Sequence, residues 1–327
     1  MKNSKKFALK EKLTFIFCGH FALDKIIRFN QDSMQTVGGG VTYGSLALDT
    51  YTNDVWIGIV SNLGSLNFKK EFLREFLERN INLDGISWSH SKNTNFVLNY
   101  FNHTRNLTLI SKSPNLNFKN FPLNYISKNP DAILLCTLCN EIDIEYIENL
   151  VKNLKNSYIA IDLQGFIRKI DNSGQISLKY DKSFNKKISY ISDLINDNLI
   201  LKGSEEEMKT LSGIKDPIKS IDKLTMNDSL IITTLGEKGS LIARKGEKVI
   251  KIPAFRPNLV VDETGAGDAY MSVFMYEFLK SSKDWESIKN AGYIASAASS
   301  YLVEMKGPKG FQSKEMVLKR IKNRKYI

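Results

Sequence analysis

Short β-branched runs alternate with stretches of helical length along nearly the whole chain, and this alternation limits the fold more than any other feature of the sequence. Strands are expected at Leu13 to Cys18, Asp54 to Val60, Ala132 to Cys136, Tyr158 to Asp162, Asn198 to Lys202, Ser229 to Thr234 and Leu241 to Arg244. Helices are expected at Tyr43 to Thr50, Lys69 to Arg79, Ile142 to Lys155, Glu205 to Leu211, Ala269 to Ser281 and Trp285 to Glu304. Such alternation is the pattern of βαβ units, which build an α/β fold with a mostly parallel, doubly wound sheet between helices. No internal repeat, low-complexity tract or Pro-rich linker breaks it, so residues 1–327 read as one domain. Residues 25–37 and 93–112 leave the rhythm, reading as strands with Asn-rich turns that form a small separate sheet; the plain alternative is a surface hairpin.

The formal net charge of +11, from 46 Lys and Arg against 35 Asp and Glu, suits an anionic substrate, nucleic acid or a membrane surface. The basic residues are scattered, however. Their densest groups, Lys2 to Lys12 and Lys314 to Lys325, lie at the ends of the chain and read as solvated tails, so no nucleic-acid partner is expected. No run reaches the ~18 apolar residues of a membrane span. Three cysteines, Cys18, Cys136 and Cys139, are too few for a disulfide framework, and a cytoplasmic location is expected. Cys136 and Cys139 have metal-like spacing without a second pair, and read as buried thiols at a strand end.

Function is concentrated in Val261-Asp-Glu-Thr-Gly-Ala-Gly-Asp-Ala-Tyr270. Two glycines at the start of an apolar helix turn backbone N–H groups toward one point, the construction of an anion site. Asp268 stands at its mouth, where a carboxylate takes a proton from a hydroxyl while Gly265, Ala266 and Gly267 steady a phosphoryl group. The plain alternative is a tight strand-to-helix turn with a capping Asp. A second polar cluster, Asp162, Gln164 and Arg168 in Tyr158-Ile-Ala-Ile-Asp-Leu-Gln-Gly-Phe-Ile-Arg168, ends a β-branched strand at the edge of the sheet. Either Arg168 neutralises a transferring phosphoryl, or Gln164 and Arg168 contact acceptor hydroxyls; the plain alternative is an Asp162 cap and an Arg168 surface pair.

The decapeptide resembles the Asp-Thr-x-Gly-Ala-Gly-Asp motif of the ribokinase-like (PfkB) family of sugar and nucleoside kinases, with Glu263 in place of the first Thr. Other elements follow in that family's order from about residue 13 to residue 310. Gly19-His-Phe-Ala-Leu-Asp24 and Gly38-Gly39-Gly40-Val-Thr-Tyr43 match its substrate-side elements, with Tyr43 where Asn is usual. Thr233-Thr-Leu-Gly-Glu-Lys-Gly239 resembles its nucleotide turn, and Ser204-Glu-Glu-Glu207 its Asn-x-x-Glu element with Ser for Asn.

The resemblance implies a lid over the acceptor at 25–37 and 93–112, Asp268 as base, and an anion hole at Gly265 to Gly267. It implies acceptor contacts from Asp24, Gly38, Gly39, Gln164 and Arg168, and ATP contacts from Thr234, Gly236, Gly239, Thr264, Gly265 and Gly267. Glu207 would hold Mg²⁺ through water. Need for a monovalent cation near Asp262, and a homodimer formed through the lid, stay open.

The Asp-Leu-Gln-Gly-Phe-Ile-Arg form and the Gly-Gly-Gly-x-x-Tyr form are similar to an archaeal branch that includes the myo-inositol 3-kinases, which makes myo-inositol the expected acceptor. A nucleoside or another sugar is the alternative. A Rossmann dehydrogenase lacks its third glycine here, and a P-loop motif is missing. A non-catalytic binding module would have no need of Asp268.

Overall fold

The structure is a computed structural model and describes residues 12–28, 34–101, 104–225, 229–323 and 326–327. The chain opens with β1 (Leu13–Cys18), leaves the core for β2 (Ala22–Arg28) and β3 (Met34–Gly38), and returns in β4 (Val55–Gly64) and β5 (Asn82–Ser89). A second excursion, β6 (Thr94–Phe101) and β7 (Thr104–Ser111), is followed by β8 (Ala132–Leu135) and β9 (Tyr158–Asp162). A hairpin, β10 (Arg168–Ile170) and β11 (Ile176–Leu178), precedes β12 (Leu199–Ser204), β13 (Leu230–Thr234), β14 (Ser240–Ala243) and β15 (Ile250–Ile252).

Nine strands form the central sheet in the order β15-β14-β13-β12-β9-β8-β1-β4-β5. Pairing is parallel from β13 to β5 and antiparallel for β14 and β15. The inner strands are largely apolar because both of their faces are covered. Phe15, Phe17, Leu134, Ala160 and Ile200 pack on the face that carries the helices Gly40–Tyr51, Ala266–Lys280 and Trp285–Leu302. Their neighbours Ile16, Cys18, Ile133, Leu135, Ile161 and Leu201 pack on the opposite face, against Ile144–Asn153, Lys182–Ile195, Glu205–Ser212 and Pro217–Leu224. The chain winds outward from β1 to β4 and β5 on one side and from β8 through β13 on the other. The switch between β1 and β8 opens a crevice at their carboxyl ends, where ligands collect in such sheets.

The two irregular stretches form one four-stranded sheet, β3-β2-β6-β7, beside that crevice. Residues 29–33 and 102–103 of the expected lid lie outside the described residues. The hairpin β10–β11 docks on the free edge of this sheet: Leu109 N–H donates to Gly174 O at 2.8 Å and Gln175 Nε2 to Thr108 Oγ1 at 2.7 Å.

Three expectations need correction. The helix expected over Lys69 to Arg79 is a 3₁₀ turn, Lys70–Leu73, and a short helix, Arg74–Glu78. Lys314–Lys322 is a helix and not a solvated tail, since one face buries Val317 together with Arg320, whose guanidinium donates to Ser300 Oγ (2.8 Å) and Glu304 Oε1 (2.7 Å). The opposite basic group, apart from Lys12, lies outside the described residues. The helices Lys182–Ile195 and Pro217–Leu224, the latter with Asp216 as cap and Pro217 at its first turn, were not anticipated. No helix among the described residues is long and apolar enough to cross a membrane.

Candidate active site

Asp268 sits in the first turn of helix Ala266–Lys280, whose N-cap is Gly265. Gly265 has φ of 80°, and the Tyr43 ring occupies the space a side chain there would need. Only glycine satisfies both the turn and the ring. Helix geometry leaves the N–H groups of Gly267 and Asp268 without an intrahelical acceptor, facing the crevice mouth. The Ala266 N–H, expected in the anion hole, donates instead to Glu263 O at 3.3 Å. Asp262 fixes the entry to the turn, with Oδ1 accepting from Thr264 Oγ1 (2.8 Å) and N (3.2 Å), and Oδ2 from Gly307 N (3.3 Å). Gly40 supplies the room for the base: a Cβ there would lie 2.7 Å from Asp268 Oδ1 and 2.8 Å from Cys136 Cβ. Burial, and then the charge of Asp162, push the Asp268 carboxyl up to about 7, with Lys202 and Arg168 pulling the other way.

The floor comes from two adjacent strands. Asp162 on β9 and Lys202 on β12 are register partners, so their side chains share a face, and Lys202 Nζ lies 2.6 Å from Asp162 Oδ2. Both are buried. Desolvation pulls the Lys202 pKa down, but Asp162 and Asp268 outweigh it and hold the ammonium above the ordinary lysine value. Asp162 Oδ1 also accepts the Gln164 N–H at 3.3 Å. Arg168 Nη1 donates to Leu138 O at 2.9 Å, and its guanidinium carbon lies 6.0 Å from the Phe96 ring centroid.

Glu207 and Ser204 form a capping box: Ser204 N donates to Glu207 Oε2 (2.8 Å) and Glu207 N to Ser204 Oγ (3.3 Å). Burial first, and then Asp162, raise the Glu207 carboxyl, with Lys202 opposing. A crowded set of hard oxygen donors is chemistry that a hydrated divalent cation carried by a nucleotide would relieve, so these residues fit one held through water at Glu207.

Asp24, Gly39, Gln164, Arg168, Glu207, Thr234, Thr264, Gly265, Gly267 and Asp268 all line one cavity of about 830 Å³. Gly38 lies behind it, under the Asp24 carboxylate, which fills the space of a Gly38 side chain. Gly236 and Gly239 form the turn between β13 and β14, with φ of 61° and 89°, and are not among the lining residues. Sequence reasoning missed Lys202, Phe96 and the hairpin residues Gln175 to Leu178, all of which line the cavity. For Lys202 a signal existed: one charge inside the apolar run Leu199-Ile-Leu-Lys.

The second cluster with metal-like composition, His20, Cys139 and Glu141, is a structural knot. Glu141 is buried and accepts N–H groups from Leu138 (2.8 Å), Cys139 (2.8 Å) and His20 (3.2 Å), while the His20 ring bridges Pro114 O (2.9 Å) and Thr94 Oγ1 (2.8 Å). Cys18, Cys136 and Cys139 are buried free thiols; Cys136 follows the end of β8 as expected, whereas Cys139 lies in the loop beyond it.

Comparison with known proteins bears on the family and the fold. A family profile described as "pfkB family carbohydrate kinase" matches residues 55–313. A nucleoside kinase of Methanocaldococcus jannaschii is 26% identical over 307 residues, covering 91% of this chain and 92% of that one. Two solved structures share the ribokinase fold at low identity. A fructokinase from Xylella fastidiosa with bound ATP has a TM-score of 0.74 at 17% identity, covering 95% of this chain and 98% of its own. A pyrophosphate-dependent kinase of the ribokinase family, complexed with a pyrophosphate analogue and myo-inositol, has a TM-score of 0.69 at 19% identity, with coverage of 90% and 96%.

Proposed function

The chain belongs to the pfkB family of carbohydrate kinases, phosphotransferases with hydroxyl acceptors, and from that premise we propose that it is a nucleoside kinase transferring the γ-phosphoryl group of ATP to a ribose hydroxyl. The observation that carries the acceptor class is the two-sided character of the cavity. Asp24, Gln164 and Arg168 are polar, whereas Phe96, Leu98, Leu107 and Leu138 make an apolar wall on the side of the lid sheet. A nucleoside has the same two halves: a hydroxyl-bearing ribose and a flat base that buries two apolar faces. myo-Inositol carries a hydroxyl on every carbon and would leave that wall unmatched. The M. jannaschii nucleoside kinase, similar over nearly its full length, supports the same reading.

In this mechanism Asp24 and Gln164 hold the acceptor hydroxyls and bring one of them to Asp268. Asp268 takes its proton as phosphorus approaches. The Gly267 and Asp268 N–H groups and the helix N-terminus receive the charge of the transferring group, and Arg168 neutralises it from the opposite wall. A divalent cation at Glu207 would supply charge neutralisation for the nucleotide phosphates.

A second reading, myo-inositol as acceptor, is favoured by the Asp162 to Arg168 segment and by the pyrophosphate-dependent kinase complexed with myo-inositol among the structural relatives. ADP release with Mg-ATP and a panel of adenosine, guanosine, cytidine, ribose, fructose 6-phosphate and myo-inositol separates them. A nucleoside is expected to exceed myo-inositol by tenfold or more in kcat/KM, with activity lost in Asp268→Ala. The reverse order would move the assignment to the polyol, and no turnover with any acceptor would overturn both.

A further inference from the structure

Lys202 is placed where an ion pair built for stability alone would not be. Its side chain is 4% exposed. Its Nζ lies 3.0 Å from the point where a Cβ on Gly267 would be, against the first turn of helix Ala266–Lys280. That helix end carries about half a positive charge, which repels a neighbouring ammonium. Burying the pair with Asp162 costs desolvation as well, and a well-packed apolar pair in the same strands would avoid both penalties. Positive groups held together at a cavity wall are, however, what an arriving anion needs.

We infer that Lys202 is a catalytic residue of this kinase, donating from Nζ to the non-bridging oxygens of the phosphoryl group as it passes from donor to acceptor, with Asp162 as the counterion that aims it. An ammonium has three N–H donors. One goes to Asp162 at 2.6 Å, leaving two for the phosphoryl oxygens. Lys202 thus faces the anion from the β12 side while the Gly267 and Asp268 N–H groups face it from the helix. No bond to Lys202 forms or breaks, and the proton it donates in the hydrogen bond stays on nitrogen. The inference rests on phosphoryl transfer from ATP and not on the choice of acceptor.

Lys202→Met alone strands a buried Asp162 and is open to a stability effect, so the test is a cycle of Lys202→Met, Asp162→Asn and the double variant. Thermal unfolding, kcat with the acceptor the wild type prefers, and calorimetric affinities for ADP and for the imido analogue of ATP are measured for each. If Lys202 contacts the transferring group, the double variant recovers the melting temperature lost by Lys202→Met but keeps a kcat at least about 10²-fold below Asp162→Asn. Its affinity for the ATP analogue falls tenfold or more, with ADP affinity within threefold of the wild type. The binding measurement needs no acceptor, so it stands if the nucleoside reading fails. A double variant whose kcat returns to within threefold of Asp162→Asn, or whose preference for the analogue over ADP matches the wild type, would reduce Lys202 to a partner for Asp162. A wild type that binds the analogue no tighter than ADP would also overturn the inference.

Discussion

At the level of single residues, Asp268 sets the pH behaviour. Its carboxyl moves from 3.8 to about 7 because burial, reinforced by Asp162, disfavours the anion. A general base works only when deprotonated, so kcat/KM is expected to fall about tenfold per pH unit below 7 and to level off above it. A pH–rate profile flat from 5 to 8 would remove Asp268 from the role of base. Stability runs in the opposite sense. The folded state holds a proton that the unfolded chain releases, so the contribution is complete below about pH 4 and is lost as the pH rises through 7. Asp268→Asn cannot ionise and should melt near the wild type at pH 4 but above it at pH 8, with kcat at least about 10²-fold lower. Differential scanning fluorimetry at the two pH values checks the sign. Asp268 and Gly265 were legible because their chemistry lies within one decapeptide. Lys202 showed in the sequence only as a lone charge at the end of an apolar run, and its meaning comes from a strand register that brings it beside Asp162, forty residues away in the chain.

Among the elements, the junction between the central sheet and the lid sheet is tied by a buried polar knot. The chain crosses this junction after β1, after β3, before β6 and after β7, and the knot ties all of these but the second. His20 bridges Thr94 and Pro114, and Asn93 bridges Phe21 O (2.9 Å), Gly64 N (3.1 Å) and Ser113 Oγ (3.1 Å). Glu141 clamps the His20 backbone to the loop after β8, whose Leu138 carbonyl in turn holds Arg168. A carboxylate serving three N–H donors has no neutral equivalent, since an amide turns one of its two acceptors into a donor. Glu141→Gln should therefore cost on the order of 3 kcal/mol, lowering the melting temperature by roughly 4 °C. The acceptor KM should rise more than the KM for ATP, because the loosened loops carry the lid and Arg168 and not the turn at Gly265. Equal rises in both would show general loosening instead. None of this was readable in advance: Glu141 looks like the charged start of a helix, and its partners are backbone groups that no side-chain pattern records.

Across the whole molecule, the parallel core and five of the helices packed on it were legible, whereas some of its outer coverings were not, for one physical reason. The strands β1, β8 and β9 announce themselves by local composition, because burial on both faces demands uninterrupted apolar residues. The hairpin β10–β11 and the helix Lys314–Lys322 are polar on most of their surface and are fixed by a few docking contacts each, to partners distant in the chain. The hairpin is the more consequential of the two, since it closes the cavity against the lid sheet while Arg168 projects from its root. Its contact to the lid depends on Gly174, which has φ of 81° and leaves no room for a side chain against the Leu109 carbonyl. Gly174→Ala should push the hairpin off β7, raising the acceptor KM about tenfold while ADP affinity stays within twofold. Gly246, in the turn between β14 and β15, supplies the control, because its φ of 79° carries the same backbone cost but nothing lies within 4 Å of the added carbon. Gly246→Ala should lower stability by a similar ~1 kcal/mol and leave both constants alone. Parallel shifts of acceptor KM in the two variants would mean that backbone strain, and not the closure between hairpin and lid, governs acceptor binding.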